Sequence, residues 1–367
     1  MKKYTKSELC LIWLDSFLGL EYKHKSELYK KINDSTEIKK FLSDNKDYIE
    51  SAIGQKEYST LLGSANAEYL RFVMDGLASR GINALTIVSE DYPQGLKEVN
   101  CPPLVLYYKG EEKLLHEKNT FSIVGSRKNI PLSISLAKSY ASALIDAGVT
   151  LVTGIAEGVD TAVLESAVQN KKGAISVIAG GFDNIYPKSN IGLMEEVIKS
   201  GGLVLSEFPP TVVPMPYHFP VRNRIIAGLG KGVLVVSGGQ KSGTLYTADY
   251  AVELSKEVFC LPYSVGISCG AGCNDLIKRG ASLTDSPKDI LNFYGWEEKE
   301  KQKIELSAQE KDIVKALSNG ELHIDKIAKA LDKQSFMITP ILSILEIKGI
   351  VVKSGNVFGL ARKDLEV

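Results

Sequence analysis

The sequence predicts an α/β protein built on an extended Rossmann-like parallel sheet, with a helical domain before it and a winged helix after it. Three observations carry this. Between residues 82 and 290, short and nearly continuous apolar runs alternate with stretches of helical period, as expected of parallel strands covered by helices on both faces. Residues 1–80 hold helical periodicity alone. Residues 306–367 order three helices before a two-strand hairpin. A chain of 367 residues is also too long for one ordinary core, which agrees with several domains.

Taken in order, KSELCLIWLDSF and AEYLRFVMDGLASRG read as amphipathic helices of an N-terminal domain, residues 1–80, separated by a stretch rich in Lys, Glu and Asp. The period changes at Ile82, where LTIVSEDYP and PPLVLYYKG are β-type runs bounded by proline and glycine. Six further strands are expected within the Rossmann-like domain, residues 81–296: FSIVGS, VTLVTG, ISVIAG, GLVLSE, GVLVVSG and EVFCLPY. Helical patterns such as SLAKSYASALIDAG, LMEEVIKSG and TLYTADYAVELSKE lie between them. The charged run EEKEKQKIE, residues 297–305, reads as a solvated linker. In residues 306–367, SAQEKDIVKALSNG, HIDKIAKAL and SFMITPILSILEIKG are helices, and GIVVKSGNVFGL is a hairpin turned by Ser354-Gly355-Asn356. Three helices and a hairpin give the winged-helix order.

Lysine plus arginine and aspartate plus glutamate both total 44, so the net charge is zero and any anion site must be local. No segment approaches the ~20 apolar residues that a membrane span requires, and a cytoplasmic location is expected. The five cysteines, at 10, 101, 260, 269 and 273, are odd in number and scattered, which argues for reduced thiols. Only Cys269 and Cys273 lie close together. Without a second pair or nearby histidines they do not predict a metal, and no cofactor is expected.

In an open parallel sheet ligands bind beyond the carboxyl ends of the strands, so the residues following each strand carry the functional reading. Gly125, Ser126, Arg127 and Lys128 follow the first of the six; the glycine admits a ligand close to the backbone, and Arg127 can fork onto a phosphate. A strand-end glycine is as often structural. Thr153 to Asp160 is a glycine-rich turn into the helix TAVLESAV, with Asp160 fitting its N-cap. Gly180-Gly181-Phe182 leads to Tyr186-Pro187-Lys188-Ser189-Asn190, where Lys188 offers a point charge. Gly238 to Thr244 opens a helix, whose amides and dipole suit an anion. Lys241 precedes the second glycine of that loop, so the spacing is not that of a Walker A motif. Finally, Arg222 and Arg224 in HFPVRNR face one way if extended and opposite ways if helical, with Asn223 between them. Packed on a core without local carboxylates they call for a polyanion. An internal ion pair with Glu207 accounts for them equally well.

Together SIVGSR, TGIAEGVD, GGFDNIYPKSN, LVLSEFPP, FPVRNRIIAGL, KSGTLYTADYA and CNDLIKRGA resemble the DprA/Smf family of DNA-processing A proteins, over about residues 82–290. The lead-in DYPQGL and PPLVLYYKG match as well. The helical N-terminus is similar to the family's sterile-alpha-motif-like (SAM-like) domain, and the C-terminus to its winged-helix (DML1-like) appendix. The resemblance implies a non-enzymatic protein that binds and protects single-stranded DNA in a basic pocket, loads the recombinase RecA in natural transformation, and dimerises through the Rossmann domain. Carried over by motif, the DNA-contacting residues are Gly125, Ser126, Arg127, Lys188, Asn190, Phe219, Arg222, Asn223, Arg224, Lys241, Ser242 and Gly243. Phosphates meet the basic groups and amides, while Phe219 stacks on a base or packs on the core. The chain departs from the family pattern at Leu164, Ser237 and Tyr263, where histidine, an acidic residue and a Pro-Gly turn are common.

A competing reading is a phosphoribohydrolase-like enzyme, because SGGQKSGT is similar to a PGGxGTxxE loop. The following LYTADYA lacks the glutamate that such chemistry needs. The four histidines, at 24, 116, 218 and 323, form no Ser/His/Asp set. Basic residues are sparse on the last helix of the winged helix, so a protein contact suits it at least as well as duplex DNA. Residues 246–265 are the expected dimer interface.

Overall fold

The computed structural model describes residues 3–297, 306–318, 320–348 and 350–360. It divides into two compact units, Met1–Lys299 and Glu300–Val367. Of the expected linker, all but Glu297 lies outside the described residues, as does the end of the C-terminal segment beyond 360.

In the first unit, nine strands form one sheet: β1 (Asn83–Thr86), β2 (Val105–Gly110), β3 (Thr120–Gly125), β4 (Thr150–Thr153), β5 (Ile175–Val177), β6 (Leu203–Ser206), β7 (Gly232–Ser237), β8 (Glu257–Cys260) and β9 (Ser282–Leu283). Their spatial order is β1-β2-β6-β5-β4-β3-β7-β8-β9. The seven strands from β6 to β9 in that order run parallel; β2 joins β6, and β1 joins β2, antiparallel. The expected α/β class and mostly parallel sheet are therefore present, and the two-residue β9 is an addition.

Alternation along the parallel strands divides the core between the two faces. Val124, Val152, Val177, Leu205, Val233 and Val235 belong to one cluster, with Ile225 and Ile226 of the helix His218–Leu229 and Ala248 and Ala251 of the helix Thr244–Glu253. Phe121, Ile123, Leu151, Val204, Leu234 and Val236 belong to the other, with residues of Pro131–Asp146 and Val159–Gln169. A run that is apolar on both faces of a strand has this placement as its physical basis.

Residues 1–80 form the helices Lys6–Ser16, Tyr22–Tyr29, Ile38–Asp44, Lys46–Ile53, Gln55–Gly63 and Ala67–Ser79. The boundary expected at residue 80 does not separate a compact unit. Leu11, Trp13 and Leu14 share one apolar cluster with Leu85 and Leu106 of the sheet. Polar bonds cross the same junction: the Ala84 amide donates to the Tyr4 hydroxyl (3.0 Å), and the Tyr107 hydroxyl donates to Asp15 Oδ2 (2.8 Å).

The second unit contains helices Ala308–Leu317, Ile324–Ala330 and Ser335–Ile347, and three antiparallel strands, β10 (Leu322–His323), β11 (Val351–Ser354) and β12 (Val357–Leu360), in the order β10-β12-β11. Gly355, at φ +62°, supplies the left-handed residue of the hairpin turn. The short β10 was not visible as a pattern. Its two residues pair with Val357 and Phe358 alone.

Candidate functional site

The chain steps from β3 through β4 and β5 to β6 on one side, then returns through the helix His218–Leu229 to β7 on the other side of β3. In open α/β sheets ligands bind beyond the strand ends at such a reversal, so the loops leaving β3 and β7 mark the candidate site. The loop after β3 is tied to β7 by hydrogen bonds. The Ser126 amide donates to the Ser237 carbonyl (2.9 Å), the Ser237 hydroxyl donates to Asn129 Oδ1, and the Asn129 side-chain amide donates to the Ser126 carbonyl. Gly158, at φ +92°, closes the floor: a Cβ there would meet the Asn129 amide and the Ser126 carbonyl.

This knot holds Arg127 and Lys128 outward, both exposed. The Arg127 guanidinium lies over the Phe219 ring, 4.8 Å from its centre, and 5.9 Å from that of Tyr186. The two rings meet edge to face at 5.8 Å. Arg127 makes no ion pair with a described carboxylate, so this exposed cation, the exposed Tyr186 ring and the half-buried Phe219 ring pair positive charge with π surface. Tyr186 precedes Pro187 through a cis peptide bond.

Residues 218–229 are helical, which sends Arg222 and Arg224 to different surroundings. Arg224 is buried and grips Glu207 with two prongs, 2.7 and 2.5 Å, while its Nε donates to the Cys101 carbonyl (2.9 Å) and Nη1 to the Val221 carbonyl (2.9 Å). The internal pair with Glu207 is the one that forms, and it holds the Arg224 guanidinium inside the fold. Burial pulls its pKa down, but Glu207 outweighs this and the net shift is upward.

Arg222 is also buried. Its Nη1 donates to the Val177 carbonyl at the end of β5, and its Nε donates to Asn223 Oδ1 (3.1 Å). It faces the buried Asp160, and a Cβ on Gly154 would strike both side chains, so glycine there lets the two charges approach. Burial lowers the Arg222 pKa to about 10, opposed by Asp160 and reinforced by the positive charge of Arg127. Burial raises that of Asp160, opposed by Arg222 and by the Ala156 amide, which donates to Asp160 Oδ2 (3.2 Å). Asp160 is thus the second residue of its helix, where the N-cap is Gly158, and not the expected cap.

Asn223 donates from Nδ2 to the Gly243 carbonyl (3.0 Å), joining this helix to the loop after β7. In that loop Lys241 and Gly243 are exposed, and the Ser242 hydroxyl accepts from the Thr244 amide (3.3 Å). Lys188 is exposed on the turn after Pro187, whereas Asn190 is buried, its Nδ2 bonded to the Ile155 carbonyl and Thr161 Oγ1, both at 2.9 Å. Asn190, Arg222 and Arg224 are therefore interior members of the expected set. Gly125 packs against Val159 and leads into the loop.

The three departures from the family pattern are built into the fold. Leu164 is fully buried, Ser237 fastens the Arg127 loop, and the Tyr263 hydroxyl donates to the Val236 carbonyl (2.8 Å). Tyr186 is a further member of this face, beyond the residues carried over by motif. One signal for this face was available: no Asp or Glu occurs between Glu207 and Asp249. Among the described residues no His, Cys, Asp or Glu side chains cluster as a metal site requires, and no helix is long and apolar enough to cross a membrane.

Fold and site define a Rossmann-like protein whose sheet presents an arginine–aromatic face and glycine-rich loops at its switch point. The sequence profile of the DNA recombination-mediator protein A family matches residues 83–295, and the chain belongs to this family. It is 38% identical to the DNA processing protein DprA of Bacillus subtilis over 219 residues, 60% of this chain and 73% of that one. Over 203 residues it is 38% identical to Protein Smf of Escherichia coli, 55% of this chain and 54% of that one. The solved structure of DprA from Streptococcus pneumoniae superposes with a TM-score of 0.61 at 30% identity, covering 79% of this chain and 98% of that one. DprA of Helicobacter pylori, whose structure was described for its single-stranded DNA binding mode, superposes with a TM-score of 0.53 at 28% identity, covering 58% and 95%.

Removing Arg224 leaves Glu207 without its partner. Arg224→Ala is expected to lower stability by about 3–5 kcal/mol in urea denaturation, and Arg224→Met with Glu207→Met to recover most of it, because no charge is then left alone. An Arg224→Ala protein of wild-type stability would show that the pair does not hold the helix.

Proposed function

We propose that the switch-point site binds single-stranded DNA without turning it over. The observation that carries this reading is the Arg127 guanidinium lying over Phe219 with Tyr186 at its edge, exposed and free of carboxylate partners. Phosphates meet Arg127, Lys188, Lys241 and the amides around Ser126 and Ser242–Gly243, while bases stack on the rings. Asn223 positions the Gly243 loop, and Arg222 contributes positive potential from beneath. The single-strand binding described for the H. pylori relative supports the same assignment.

Fluorescence anisotropy of a labelled strand of ~20 nucleotides over a salt series tests it. Arg127→Ala is expected to weaken binding and reduce the salt slope by about 0.7, one phosphate contact on a single strand. Phe219→Ala is expected to cost about 1–3 kcal/mol with the slope unchanged. A wild-type protein that ignores the single strand, or binds it independently of salt, would overturn the reading.

The family's description as a recombination mediator supports a further step, in which the bound strand is protected and passed to RecA in the cytoplasm. Faster RecA filament growth on strands pre-bound by the protein is the expected result, and no acceleration would remove the step. We also assign residues 246–265 to a homodimer interface, because Tyr246, Val252 and Val265 expose apolar surface there. Sedimentation is expected to show a dimer that Val252→Asp dissociates; a monomer at all concentrations would remove the interface. The second unit is read as a winged helix whose last helix, exposing Phe336 and Met337, suits a protein contact.

A further inference from the structure

The chain reaches Phe219 through a proline-rich loop, Pro209-Pro210-Thr211-Val212-Val213-Pro214-Met215-Pro216-Tyr217. Its four prolines restrict φ, and hydrogen bonds fasten it along its length. The Asp183 amide donates to the Pro210 carbonyl (2.9 Å), the Gly181 amide to that of Val212 (2.8 Å), and the Asn184 side chain to that of Thr211 (2.9 Å). Nearer the helix, the Met215 amide donates to His218 Nδ1 (3.2 Å) and the His218 amide returns to the Met215 carbonyl (2.9 Å). Pro214 packs where Gly180 has no side chain.

This fastened loop holds alternate residues outward. Val213, Met215 and Tyr217 are 59%, 45% and 65% exposed. The Tyr217 ring stands edge-on to His218, with centres 4.5 Å apart, and His218 is itself buried and stacked on Phe208 at 4.2 Å. Tyr217 is thereby supported from the protein side and open on the other. Exposed apolar side chains on a rigid loop gain little for the fold, but they lower the ordering cost of binding a flat apolar ligand. Purine and pyrimidine rings are such ligands, and they stack on aromatic side chains irrespective of sequence. The segment carries no carboxylate to repel a phosphodiester chain, and Tyr217 lies two residues from Phe219.

We propose that Tyr217, flanked by Met215 and Val213, is a second base platform, occupied by a nucleotide of the same strand that contacts Arg127, Phe219 and Tyr186. The inference rests on the single-strand reading above and extends it from a pocket to a track along the loop between β6 and β7.

The test is anisotropy with an oligo(dT) of ~20 nucleotides, together with urea denaturation of each variant. Tyr217→Ala is expected to bind about tenfold or more weakly, within the range of one base–aromatic stack, with the salt slope of the wild type because no charge is lost. Tyr217→Leu, apolar but not flat, is expected to show the same loss, and Tyr217→Trp to bind at least as well as the wild type. Unchanged urea midpoints separate a lost platform from an unfolded loop. Affinity of Tyr217→Ala and Tyr217→Leu within twofold of the wild type, while Arg127→Ala still impairs binding, would overturn the platform and leave the pocket standing. A wild-type protein that fails to bind the strand would overturn both.

Discussion

Lys256 donates to the carbonyl oxygens of Ala227, Gly228 and Gly230, at 2.9, 2.7 and 2.7 Å, where the helix His218–Leu229 ends. These acceptors would otherwise be orphaned at a negative dipole end, and one ammonium satisfies them together. Burial lowers the Lys256 pKa to about 8, still above neutrality, so the cap remains charged at neutral pH. Toward the other end, Arg224 holds Glu207 and the Cys101 carbonyl, and Arg222 holds the carbonyl at the end of β5. Two buried arginines and the part-buried Lys256 thus tie one helix to the segments before β2 and β8, to the segment after β6, and to β5. Phe219 stands on the first turn of that helix, so its place under Arg127 depends on all three.

The protein uses its cations in two ways, which lets a chain of zero net charge leave a few of them unpaired on strand-end loops. Lys256, Arg222 and Arg224 are committed to internal acceptors and set geometry. Arg127, Lys188 and Lys241 are exposed on strand-end loops, and no described carboxylate pairs with them. The first group also acts on the second through the field. Burial lowers the Arg222 pKa, Asp160 opposes this, and the charge of Arg127 lowers it further, so the two guanidiniums repel. Asp160 limits that repulsion without neutralising the exposed arginine.

Much of the fold was legible because parallel strands buried on both faces leave continuous apolar runs, as in FSIVGS and GVLVVSG. The strand-end loops were legible for the same reason, since they follow those runs. What could not be read depended on contacts far apart in sequence. The state of HFPVRNR was open because Arg224 finds its acceptors in Glu207 and Cys101, 17 and 123 residues away. Asp160 looked like a cap because its local setting suits one, and only the fold sets Arg222 against it. The packing across residue 80 was equally hidden: Leu11, Trp13 and Leu14 of the first helix find their partners in Leu85 and Leu106 of the sheet.

On the proposed reading, selectivity for a single strand would follow from the surfaces the site offers. Phe219, Tyr186 and Tyr217 present ring faces and edges, and a base can stack on them only when its own face is free. In a duplex the neighbouring pairs cover those faces, and unstacking them costs a few kcal/mol per step. Charge alone would favour the duplex, whose phosphates are more densely spaced. A strongly basic surface would therefore work against discrimination. Here the exposed cations are few, the surrounding segment carries no acid, and the chain as a whole is neutral. Under the proposed reading stacking would supply the difference between the two ligands, and the clamp on the Phe219 helix, by fixing where that ring stands, would set how large the difference is.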